Sequence, residues 1–112
     1  MRADQRASKI GASAGIFAAL GEETRLSLVI RLCEEGPLSI SQLTEGTDVT
    51  RQAVTKHLRF LEEQKLVKSE KQGRATVWEI ESKRLQVARD YLDMISRRWD
   101  TALDRLKLLV ED

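Results

Sequence analysis

From Thr50 to Glu62 the chain reads Thr-Arg-Gln-Ala-Val-Thr-Lys-His-Leu-Arg-Phe-Leu-Glu, with apolar Val54, Leu58 and Leu61 at the spacing of one buried helical stripe. Gln52, Thr55, Lys56 and Arg59 fall on the opposite side of that helix, so one face anchors it while the other offers donors and cations. Upstream, Ile10, Ala14, Phe17 and Ala18 give a short stripe interrupted by Gly11 and Gly15, after a mainly polar stretch of nine residues expected to fray. Gly21 then separates a second helix, in which Leu26, Val29, Ile30 and Cys33 sit at i, i+3, i+4 and i+7 and are expected to be buried, Cys33 as a small packing hydrophobe.

Gly36-Pro37 stops the second helix, because glycine accepts a left-handed cap and proline cannot continue the hydrogen bonding. Ser39-Ile40-Ser41-Gln42 follows with a capping-box pattern, opening a short third helix that turns Ile40 and Leu43 inward and ends near Gly46. Gly46-Thr47-Asp48-Val49 turns the chain, with Gly46 or Asp48 able to take a left-handed backbone, and Thr50 caps the next helix. A short capped helix, a tight turn and a helix with a polar donor face make a helix-turn-helix.

Beyond it, Leu66-Val67 leads into residues that alternate up to a turn at Lys71-Gln72-Gly73-Arg74, and Ala75 to Ile80 alternates again, which predicts a hairpin with Trp78 and Ile80 closing over the core. Ser82 is expected to cap a long final helix whose Leu85, Ala88, Leu92, Ile95, Trp99, Ala102, Leu106 and Leu109 repeat in steps of three and four. At 1.5 Å per residue such a helix runs roughly 40 Å, more than so small a domain covers, and the surplus seam is expected to pair with a second copy. Packing within the chain is the alternative for that seam.

The 112 residues fit one domain with a modest core, and the net charge of +1 gives no whole-molecule attraction to nucleic acid. Local clustering changes that picture: Arg51, Lys56 and Arg59 have no acid among them from Thr50 to Phe60, and Lys65, Lys68, Lys71 and Arg74 face only Glu70. Candidate contacts to double-stranded DNA are therefore Arg51, Gln52 and Thr55 for base edges, and Lys56, Arg59, Lys71 and Arg74 for phosphates, with Ser39, Thr50 and Gln72 beside them. His57, the sole histidine, flanks the core stripe and is expected to pack or bond a phosphate. One cysteine excludes an internal disulfide and a Cys-x-x-Cys pair, and no apolar run spans a bilayer, so no membrane contact and a cytoplasmic setting are expected.

From Phe17 to about Ile80 the chain resembles the ArsR/SmtB family of bacterial winged-helix repressors. Ala19-Leu20-Gly21-Glu22-Glu23-Thr24-Arg25-Leu26, Ile40-Ser41-Gln42-Leu43, the stretch Val49 to Glu62, Leu66-Val67 and Gly73-Arg74 carry the resemblance by their order and spacing. It implies a mainly α winged helix-turn-helix with a small β-hairpin, in the order ααααββα, and a homodimer joined by its first and last helices. On that reading Ile10, Phe17, Leu92, Ile95, Trp99, Ala102 and Leu106 form the dimer interface. One domain spans 1–112, with dimerisation helices at 10–20 and 82–110, the helix-turn-helix at 39–62 and the wing at 65–81. The implied function is repression by a homodimer on an inverted-repeat operator.

Members of that family that sense soft metals carry Cys-x-Cys where this chain has Ser39-Ile40-Ser41, and its last helix has no histidine to join Asp90, Asp93, Asp100 and Asp104. No metal and no cofactor are expected, and Arg97-Arg98-Trp99 with Arg105-Leu106-Lys107 resembles a metal-independent branch. Nothing pairs a nucleophile with a base or cradles a phosphate in a glycine loop, so an enzyme is not expected. The rival reading is a protein-interaction module working through the final heptad helix, on which an effector or partner protein could dock alongside DNA binding. Binding of structured RNA is a third option.

Overall fold

The computed structural model describes residues 2–111. Five helices and three strands follow in the order α1 (Arg2–Leu20), α2 (Glu23–Glu35), β1 (Leu38–Ser39), α3 (Ile40–Glu45), α4 (Arg51–Glu63), β2 (Val67–Gln72), β3 (Ala75–Ile80) and α5 (Ser82–Glu111). The sheet is antiparallel with β3 in the centre, β2 pairing it from Val67↔Ile80 to Gln72↔Ala75 and β1 pairing Leu38 with Trp78. The expected hairpin thus becomes a three-stranded sheet. Two residues between a helix stop and a capping box are too short to show an alternating pattern, so β1 left no mark of its own in the sequence.

The core gathers Ile16, Leu28, Leu32, Leu43, Val54, Leu58, Leu61, Leu66 and Trp78 between the helices and the inner face of the sheet. Val54, Leu58 and Leu61 are fully buried, as their spacing predicts. Two other helices turn a different face inward. In α1 the buried side is Ser13, Ile16 and Ala19, leaving Ile10 exposed and Phe17 only partly covered, with its ring 6.5 Å from that of Tyr91 on α5. In α2 the buried residues are Leu28, Val29 and Leu32, while Leu26 and Ile30 stay exposed. Both helices carry apolar residues on two faces, and packing, of α1 against α2 and α5 and of α2 against α4 and β3, selects the face that periodicity alone could not.

Cys33 is accordingly exposed rather than buried, on the unused stripe of α2. α1 is helical from Arg2, where nine frayed residues were expected. Ser82 is the first residue of α5 rather than a cap before it.

The turns obey their chemistry more closely. Gly36 ends α2 at φ +82°, and its N–H donates to the Leu32 carbonyl. Gly73, at φ +65°, is the first residue of the two-residue hairpin loop, the position at which a type II′ turn requires positive φ. Gly46 keeps φ at −89°, and neither it nor Asp48 is left-handed. The left-handed residue is instead Lys65, at φ +61°, where α4 breaks and Leu66 is swung into the core with its N–H on the Leu61 carbonyl at 3.0 Å.

A candidate nucleic-acid interface

The helix-turn-helix is set by three local devices. Ser39 Oγ accepts from the Gln42 N–H at 3.2 Å, and Gln42 Oε1 accepts from the Ser39 N–H at 2.9 Å, so the capping box is complete. The far end of α3 is closed by Arg31, whose Nη1 donates to the Gln42 and Leu43 carbonyls at 3.2 and 3.1 Å. Thr50 Oγ1 then accepts from the Ala53 N–H at 3.1 Å and starts α4.

With its apolar stripe buried, α4 presents Arg51, Gln52, Lys56 and Arg59 to solvent. Arg51, Gln52 and Thr55 line one shallow concavity of about 540 Å³. Thr55 spends its hydroxyl proton on the Arg51 carbonyl at 2.8 Å, which leaves its oxygen free only to accept. A second cleft, of about 340 Å³, is lined by Ser39, Ser41, Arg51, Arg74 and Thr76 and joins the start of α3, the start of α4 and the wing. Arg51 belongs to both. Lys71 and Gln72 are exposed at the end of β2, next to that cleft.

This arrangement brings most of the expected contact residues to one side, with three refinements. Ser39 and Thr50 each use one hydroxyl lone pair to accept a backbone N–H, so each keeps its proton and one further lone pair for a partner. His57 points elsewhere: its Nδ1 lies 3.9 Å from Glu22 Oε2, on the flank of α4 that meets α2. That placement suits the packing half of the expectation for His57. The cationic run also ends early, because exposed Glu63 follows Arg59 one turn later on the same side, and Glu62 is held by Ser69 Oγ at 2.6 Å.

Sequence reasoning passed over Ser41 and Thr76, which line the cleft between Arg51 and Arg74. Ser41 stands in the sequence only as an inner position of the capping-box stretch and the place of an absent thiolate, and Thr76 only as one step of an alternating strand. The junction of Glu22 and Arg25 with α4 was missed as well. Glu22 caps α2 by accepting the Arg25 N–H at 2.8 Å, and that hydrogen bond holds its carboxyl below the ordinary value of 4.5. Among the described residues no three His, Cys, Asp or Glu side chains are grouped to hold a metal ion.

A helix-turn-helix followed by a basic-tipped hairpin defines a winged-helix DNA-binding domain. Residues 22–69 match the family described as bacterial regulatory protein, arsR family. The chain is similar to an HTH-type transcriptional regulator of Mycobacterium tuberculosis, 33% identical over 95 residues that cover 85% of each chain. It also resembles the solved structure of an ArsR-like transcriptional regulator from Rhodococcus sp. RHA1, with a TM-score of 0.74 and 32% identity over 91% of this chain and 95% of that one. An arsenical resistance operon repressor of Escherichia coli is 36% identical over 59 residues, 53% of this chain and 50% of that protein. The chain belongs to the ArsR family of winged helix-turn-helix transcriptional regulators, which bind DNA and are not enzymes.

Proposed function

We propose that the protein is a cytoplasmic repressor that acts as a homodimer on an inverted-repeat operator, α4 lying in the major groove and the β2–β3 wing against the flanking backbone. The observation that supports this best is the union of Arg51, Gln52, Thr55 and Arg74 around two clefts that share Arg51. Arg51, Gln52 and Thr55 read base edges, a single bidentate contact contributing about 1–3 kcal/mol of discrimination. Lys56, Arg59, Lys71 and Arg74 hold phosphates, with Gln72, Ser39 and Thr50 offering further polar contacts, and these give affinity that falls with salt. Bound in this way, the dimer blocks transcription by occupying the promoter.

Dimerisation rests on α5. Every residue from Ser96 to Val110 is exposed in the single chain, Trp99 at 63%, Leu106 at 56% and Leu109 at 76%. Leu92, Ile95, Trp99, Ala102 and Leu106, with Ile10 and Phe17 of α1, supply the interface of a second copy. The hydroxyls of Ser39 and Ser41 stand where thiolates would bind a soft metal, which supports repression without a metal signal.

The test starts from the duplex that the purified protein enriches from random DNA. Arg51→Ala combined with Lys56→Ala should lower affinity for that duplex at least about tenfold and reduce the salt slope by about one, with the dimer intact by sedimentation. Unchanged binding by that variant, or dimers that enrich no sequence, would favour an interaction module working through α5.

A further inference from the structure

We infer that Arg25 is a positioning residue for DNA recognition, transmitting the placement of α1 to the reading helix α4 through one guanidinium. The inference rests on α4 entering the operator and α1 lying at the dimer interface, and it names the contact that ties those two functions together.

Arg25 Nε donates to the Ala19 carbonyl at 2.7 Å, and Nη2 reaches the Ala18 carbonyl at 3.5 Å. These are end carbonyls of α1, at the negative end of its dipole; Ala18 also accepts the Gly21 N–H at 3.3 Å, and the guanidinium supplies the cation that closes the helix. The same guanidinium stacks on Phe60 of α4, 4.6 Å from the ring centroid. Three residues before Arg25, Glu22 Oε2 accepts the Arg25 N–H and lies 3.9 Å from His57 Nδ1, three residues before Phe60. The N-cap of α2 and the residue three positions on thus face an i, i+3 pair on α4.

The place of this junction on α4 decides its effect. The buried stripe Val54, Leu58 and Leu61 sets how far α4 sits from the core, but the rotation of the helix about its own axis depends on contacts at its flanks. His57 and Phe60 lie on one flank, and the other is held by Glu62 with Ser69. Phe60 is 37% exposed and follows Lys56 by one turn and Arg59 by one residue. Loss of the stacked guanidinium frees one flank, and Lys56, Arg59 and Gln52 turn with the helix. Specific contacts demand fixed placement, whereas non-specific phosphate contacts tolerate rotation.

The experiment compares wild type with Arg25→Gln, Arg25→Lys, Phe60→Leu and the double variant Arg25→Gln/Phe60→Leu, using the enriched duplex and a scrambled duplex. Arg25→Gln should remain dimeric and lose about tenfold in affinity for the enriched duplex, with less than a twofold change on the scrambled one. Arg25→Lys should fall between, since it keeps the charge at α1 but not the planar stack. The double variant should lose no more specificity than the worse single one, because both act through one contact. Hydrogen exchange on DNA-free protein supplies a second readout: Arg25→Gln should speed exchange both at the α1 end and at the α4 amides around Phe60. Equal losses on both duplexes, additive effects in the double variant, or faster exchange confined to α1 would each reduce Arg25 to a helix cap and overturn the inference. A wild type that enriches no duplex would instead count against the DNA-reading geometry, and the exchange pattern would still decide whether α1 and α4 are coupled.

Discussion

A β-carbon on Gly46 would fall 2.3 Å from Arg31 Nη1, the atom that closes the end of α3. A side chain at position 46 would therefore have to displace the end of the Arg31 side chain, whereas the backbone there, at φ −89°, is one any residue adopts. Gly46→Ala should push Arg31 off the Gln42 and Leu43 carbonyls and lower stability by about 1 kcal/mol, the worth of an ordinary hydrogen bond. In an Arg31→Ala background the same change should be neutral, or stabilising by about 0.5 kcal/mol, because alanine then only restricts the unfolded chain. Chemical denaturation of the four proteins checks both halves.

Lys65 carries the opposite kind of conflict, a side chain on a backbone at φ +61° that favours glycine. Lys65→Gly should raise the melting temperature, the relief being about 1 kcal/mol. Calorimetry reads this directly, and a lower melting temperature would mean that the Lys65 stem contributes more packing than its backbone costs.

The exposed seam of α5 gives a prediction about association. Leu106→Asp or Trp99→Glu should leave the far-ultraviolet spectrum of the folded chain intact but shift sedimentation from dimer to monomer. Each buried large side chain contributes about 1.5–3 kcal/mol, and a charge placed in the seam would be desolvated without a partner.

Acid sensitivity follows from Glu22, whose carboxyl is held below its ordinary value first by the Arg25 N–H. A carboxyl with a depressed folded-state value contributes stability above its unfolded value, and that contribution fades as pH falls through the folded value. Glu22→Gln should therefore be less stable than wild type at neutral pH, the gap narrowing below the unfolded value of 4.5. Urea titrations at neutral and acidic pH check the sign.

Much of this organisation was legible in the chain because local chemistry decided it. The capping box at Ser39, the cap at Thr50, the stripe of α4 and the tight turn at Gly73 each need only a few neighbouring residues, and each stands where the pattern put it. What failed was decided by packing. Leu26, Ile30 and Cys33 form as good a stripe as Leu28, Val29 and Leu32, and only the presence of α4 and β3 chooses between them. The break at Lys65 carries no glycine to mark it, and β1 exists only because β3 lies beside it.

The candidate site divides along the same line. Arg51, Gln52, Thr55, Lys56 and Arg59 are grouped by helical spacing, which the sequence displays. The meeting of Arg51 with Arg74, and the turning of His57 toward Glu22, join residues more than 20 positions apart and required the fold.

The most direct test of the whole account is a hydroxyl-radical footprint of the purified protein on the duplex it enriches, with stoichiometry read by sedimentation. Two copies per duplex, protecting two symmetric half-sites whose centres lie about one helical turn apart, are the expected result. One copy protecting a single site, or even protection along any duplex at physiological salt, would contradict it.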